Sequence, residues 1–150
     1  SKRYQEDKIL TKTMINNYAK NNLLPSPVKK RYSKEHLLLL IYIYYYKSIL
    51  SIGDIQSLLE PLTQRYFHKD GEMNMQSIYE EVFSLEKEQV EKMKQDVTEK
   101  YETASRIFPE AEAEDQEFLR IFSFICLLSF DVYVKKQVIE KLIDELPKKS

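Results

Sequence analysis

The sequence predicts an all-α, mainly helical chain, and three observations lead there. Only two of the 150 residues are glycine, Gly53 and Gly71, and five are proline, whereas strand-rich folds consume such turn residues. Apolar residues recur at three- and four-residue spacing over long stretches. Thr11, Ser33 and Ser51 each stand directly before such a stretch, where a hydroxyl can accept a free amide of a helix's first turn. The length suits one ordinary domain or two small ones.

The first predicted helix runs from Lys12 to Lys20 behind Thr11. Met14, Ile15 and Tyr18 fall on one side of it, while Thr13, Asn16, Asn17 and Lys20 share the other. Asn21-Asn22 suits its end, because asparagine tolerates the left-handed conformation found there. Leu23-Leu24-Pro25-Ser26-Pro27-Val28 reads as extended or turn-like, since proline biases its predecessor away from helix. A basic run with an aromatic, Lys29-Lys30-Arg31-Tyr32, follows.

Ser33 caps a second helix expected over Lys34–Ile49, with Glu35 in its first turn. This helix is apolar enough to be central. Ser51-Ile52-Gly53-Asp54 has the form of a capping box and opens a helix expected to reach Leu59 and to be closed by Pro61. Gln64–Gly71 is polar with aromatics and ends in a turn signal, Asp70-Gly71. One long helix is expected over Met75–Phe108, with a missing apolar beat at Gln89, and Pro109 ends it. A final helix spans about Asp115–Leu146, is apolar nearly all round in its first half, and is stopped by Pro147. Two units follow from this reading: a head over residues 1–62 and a helical region over 63–150.

The net charge of −1 hides an asymmetry. Residues 1–36 carry nine Lys/Arg against three Asp/Glu, and residues 37–150 carry fourteen against twenty-one. A basic first quarter on an acidic remainder fits a head that meets a polyanion. A single cysteine, Cys126, excludes an intrachain disulfide and a thiol metal cluster, which fits a reducing, cytoplasmic setting. No secretory signal is visible. Leu37–Tyr46 is too short to span a bilayer and Phe118–Val134 is interrupted by Arg120 and Asp131, so both read as buried core helices rather than membrane spans.

The order of a capped polar-faced helix ending in Tyr18, Asn22-Leu23-Leu24-Pro25, Lys30-Arg31-Tyr32, the helix from Ser33 to Ser48, and Ser51-Ile52-Gly53-Asp54-Ile55 resembles the DNA-binding domain of the MerR family of winged helix-turn-helix regulators. The resemblance covers about residues 9–60. The Thr11-Lys12-Thr13-Met14-Ile15-Asn16-Asn17-Tyr18 and Lys29-Lys30-Arg31-Tyr32-Ser33 runs are similar, more closely still, to a bacterial family with a MerR-like head and a helical tail.

The resemblance implies a sequence-specific transcriptional regulator that binds double-stranded DNA and twists or bends a promoter. It implies that the first helix of the motif precedes Ile9. It places Asn16 and Asn17 against base edges, adenine above all for a bidentate amide. Lys12, Thr13 and Lys20 would contact bases or phosphates, and Thr11 would seat a phosphate at the helix N-terminus. Lys29, Lys30 and Arg31 would form the wing, and Tyr32 would pack it down or stack on a sugar. Where the family's wing has a glycine, this chain has Val28-Lys29-Lys30-Arg31. The helical region would form a homodimer and receive an effector, small molecule or protein. It lacks a thiol-rich site, so mercury- or copper-type sensing is not implied.

Other chemistry has little to stand on. Cys126, between Ile125 and Leu127, reads as a buried apolar residue rather than a nucleophile. His36 and His68 are isolated, so no metal or other cofactor is expected. Glu110, Glu112, Glu114, Asp115 and Glu117 read as a solvated helix start. Two glycines cannot build a phosphate loop, and no enzyme is expected. Tyr42, Tyr44, Tyr45, Tyr46, Tyr66, Phe67, Phe122 and Phe130 read as core. The alternative to a regulator is a helical protein-interaction module that keeps a MerR-like fold without touching DNA.

Overall fold

The computed structural model describes residues 10–147. Residues 1–9, where the first helix of the motif was expected to begin, lie outside the described residues. Among these, six helices account for the regular structure: α1 (Lys12–Lys20), α2 (Lys34–Tyr46), α3 (Ile52–Tyr66), α4 (Met75–Ser84), α5 (Glu86–Ser105) and α6 (Ala113–Asp144). Besides them there is one isolated antiparallel bridge, Val28 with Arg31. The chain is all-α. No helix among the described residues is long and apolar enough to cross a membrane.

The three hydroxyl caps form as their positions predict. Thr11 Oγ1 accepts from the Met14 amide at 3.1 Å, and Ser51 Oγ accepts from the Asp54 amide at 3.1 Å. Ser33 caps α2 in the same way, through the His36 amide. At the end of α1, Asn22 takes a left-handed backbone (φ 60°). The Leu23 amide then reaches back to the Tyr18 carbonyl at 2.8 Å and the Asn22 amide to the Ala19 carbonyl at 3.3 Å, which satisfies carbonyls that the helix end leaves open.

Two compact units emerge: residues 1–81 with 140–150, and residues 82–139. In the first, Leu24, Leu38, Leu39, Leu40 and Met75 form a core cluster. Ile15, Tyr18 and Ala19 of α1 and Leu62 and Tyr66 of α3 pack against it. Within α2, Tyr42 and Ile43 are also buried, and burial raises the phenols of Tyr42 and Tyr46 above their ordinary value. Tyr45 is instead half exposed, so the tyrosine run is only partly core.

Several boundaries differ from the expectations. α2 stops at Tyr46 rather than Ile49, and the Ile49 amide turns back to the Tyr46 carbonyl in a tighter i–3 bond. Pro61 does not close α3; the helix runs on to Tyr66 with the proline inside it. The proline deprives the Ser57 carbonyl of its partner, but Ser57 is exposed and water can replace it. Ending at Leu59 would have left Leu62 and Tyr66 off the core they cover. α3 therefore runs through the expected division at 62/63.

The long helix expected over Met75–Phe108 is two helices, parted at Leu85 and finished at Ser105. The apolar stripe Met75, Ile78, Tyr79, Val82 would continue at positions 86 and 89, which are Glu86 and Gln89. Nothing apolar carries the stripe across, and the Leu85 amide tightens onto Val82 at 3.3 Å.

In the second unit, α5 and the larger part of α6 form a hairpin in which Tyr101 meets Phe124 edge to face at 5.6 Å. Ala104 is the one buried residue of this unit among the described residues. Phe118–Val134 is thus not a buried core helix: Phe118, Phe122, Phe130 and Tyr133 are largely exposed, because α5 covers only one side. Cys126 is half-buried rather than buried.

Candidate functional site: a basic head

Residues 10–34 carry six Lys/Arg and no Asp/Glu. α1 presents half of this feature. Its periodicity puts Ile15, Tyr18 and Ala19 on the core, and the burial raises the Tyr18 phenol's pKa. Lys12, Thr13, Asn16, Asn17 and Lys20 are left exposed. Thr13, Asn16, Asn17 and Lys20 follow one another at i, i+3, i+4 and i+7 and so share one face. Thr11 is half-buried; its oxygen accepts from Met14, and its proton stays available to a ligand.

The other half is a hairpin of the tightest kind. The Val28 amide donates to the Arg31 carbonyl at 3.1 Å and the Arg31 amide to the Val28 carbonyl at 2.9 Å. The two residues between are Lys29 and Lys30, with φ of 49° and 60°. Positive φ at both central positions defines a turn that prefers Asn-Gly, and each lysine there costs about 1–2 kcal/mol. The strain places two ammonium groups at the tip of a two-residue loop. Lys29, Lys30 and Arg31 are all exposed.

A histidine holds this hairpin in place. His36, 1% exposed, is the one buried polar residue among the described residues. Its Nε2 donates to the Pro25 carbonyl at 2.9 Å, and its Nδ1 accepts from the Ser33 amide at 2.9 Å. A carbonyl only accepts and an amide only donates, so these two partners put the ring proton on Nε2. The ring thereby completes a capping box with Ser33, in the place usually taken by Glu or Gln. Tyr32 sits edge-on to it at 5.2 Å and Phe67 at 4.9 Å. His68, 3.2 Å from the Ser33 hydroxyl, donates its amide to the Glu35 carboxylate. Segments on both sides of the hairpin, Pro25 before it and Tyr32–Ser33 after it, are thus fastened to the start of α2.

Of the ten residues that the sequence singles out, Tyr32 is the one with an evident structural task, since its ring packs on His36; it remains 42% exposed. Lys12, Lys20, Lys29, Lys30 and Arg31 form no ion pair among the described residues; the pairs found there lie on α5 and α6. His36 is the residue that sequence reasoning missed. It looked isolated, yet its spacing from Ser33 was the available signal. Among the described residues no three His, Cys, Asp or Glu side chains gather as metal ligands.

Five exposed cations without anionic partners, set around two asparagines on a small helical unit, define a protein with a surface for an anionic polymer. The chain belongs to the family described as Domain of unknown function (DUF1836), whose model matches residues 1–82. That match takes in α1 to α3 and most of α4, the stretch that holds the head. Neither the curated proteins nor the solved structures gave a match.

Proposed function

We propose that this protein is a MerR-like transcriptional regulator that binds double-stranded DNA through its basic head. The observation that carries the reading is the set Lys12, Lys20, Lys29, Lys30 and Arg31, exposed and without ion pairs among the described residues, on the same unit as the exposed amides of Asn16 and Asn17. In this reading α1 lies in the major groove. Asn16 and Asn17 read base edges, and Thr13 and Lys20 flank them. The Thr11 hydroxyl and the free amides of the first turn meet a phosphate. The Lys29–Lys30 tip acts as the wing, and with Arg31 it grips the backbone, which positions the head without reading sequence. A palindromic operator needs two heads, so a homodimer belongs to the reading, as does an effector of still open chemistry.

The test is a salt series of binding to mixed genomic DNA fragments. It compares the full chain with a Lys29→Ala/Lys30→Ala/Arg31→Ala variant. Each phosphate contact contributes about 0.9 to the slope of log affinity against log salt, so loss of three flattens it by nearly 3. Binding that is absent at low salt in both proteins rejects the proposal and points to a protein partner for the head.

A further inference from the structure

The hairpin of α5 and α6 cannot be a finished structure. Residues 82–139 bury one side chain, Ala104, while Phe118, Phe122, Ile125, Val132 and Tyr133 each keep between 52% and 65% of their surface exposed. At 100° per residue, positions 118, 122, 125, 129, 132, 133 and 136 fall within an arc of about 100°, one continuous stripe. Phe124, which faces Tyr101 of α5, lies on the opposite side of α6. At about 200 Å² per aromatic side chain, Phe118, Phe122 and Tyr133 alone leave roughly 350 Å² open. Neighbouring aliphatic residues bring the stripe to about the 800 Å² per partner that a stable interface covers.

We infer that this stripe is covered by the same stripe of a second copy, with the two α6 helices antiparallel about a two-fold axis between residues 125 and 126. The stripe's own chemistry selects this occupant. Asp115 stands just before Phe118 and Lys136 just after Tyr133; both are exposed, and neither has an ion pair among the described residues. An antiparallel register centred there sets Asp115 against Lys136 of the second copy at both ends. It sets Phe118 against Tyr133 and the bulky Phe122 against the small Ser129. Ser129 lies in a shallow groove of about 410 Å³ with Ile125, Leu128, Val132, Tyr133 and Lys136, which gives the Phe122 ring of the second copy a seat. The two Ile125 side chains meet at the axis. A parallel arrangement would instead set Asp115 against Asp115 and Lys136 against Lys136. Antiparallel helices also bring opposite dipole ends together. The inference rests on exposure, shape and charge, so it stands or falls apart from DNA binding.

Sedimentation equilibrium on the full chain at micromolar concentration gives twice the chain mass, and Ile125→Arg gives the single mass with helical circular dichroism retained. Asp115→Lys and Lys136→Asp, both exposed and harmless to the fold, each weaken the dimer about tenfold, since each creates two like-charge contacts. The double variant returns to within about twofold of the parent. A parent chain of single mass at tens of micromolar overturns the inference and assigns the stripe to a different protein. A dimer that the double variant fails to restore overturns the antiparallel register.

Discussion

Lys29 and Lys30 occupy backbone conformations that suit asparagine and glycine, and a chain selected for stability alone would not place lysine at both. Lys29→Asn/Lys30→Gly is therefore expected to stabilise the protein by about 1–2 kcal/mol in denaturant unfolding. The same change should weaken DNA binding, because two cations leave the tip. If stability rises and binding is untouched, the tip has no part in recognition. His36 makes the opposite case. His36→Ala leaves the buried Pro25 carbonyl without its donor and opens a cavity beside Tyr32 and Phe67. A loss of about 2–4 kcal/mol is expected, with the hairpin amides among the first to lose hydrogen-exchange protection. The lysines were legible in the sequence as a basic run, since charge is a property of the residue. The strain was not, since φ is set by the flanking Val28–Arg31 bonds. His36 was not legible as a fastening, because its partner Pro25 becomes a neighbour only when the chain folds back.

Among the elements, α1 was readable from end to end. A hydroxyl cap, an amphipathic period and an asparagine with left-handed backbone are all local signals, and local geometry decides them. α3 was misjudged at Pro61 because the helix is held by packing on both sides of the proline. The cost of the missing amide is a solvated Ser57 carbonyl, smaller than the benefit of seating Leu62 and Tyr66. Pro61→Ala should restore the Ser57 hydrogen bond and raise the stability by about 1 kcal/mol, once the greater freedom of the unfolded chain is subtracted. A drop on chemical denaturation would mean that the bend at Pro61 is needed to aim Leu62 and Tyr66. The break at Leu85 was foreshadowed only by Gln89; the stripe of α4 and that of α5 are each regular and differ in phase.

At the scale of the whole molecule, the two units differ in kind. Residues 1–81 with 140–150 enclose a core, and residues 82–139 bury almost nothing. If a second copy completes the latter, the thermal midpoint rises with protein concentration, as mass action requires of a folded state that is also an associated one. Ile125→Arg should remove that dependence. A midpoint independent of concentration in the parent chain would mean that the hairpin is stable uncovered.

What the sequence by itself determined was the all-α class, the extent of α1, the caps at Thr11, Ser33 and Ser51, and the concentration of positive charge in the first quarter. These follow from residue type and from period, which need no distant partner. Only the tertiary structure decided that α3 continues through Pro61, that the Phe118–Val134 stretch is uncovered rather than core, and that His36 ties the hairpin to α2. In each case the outcome depends on residues far apart in sequence. An apolar period says that a face must be buried, while only the folded chain says whether anything is there to bury it.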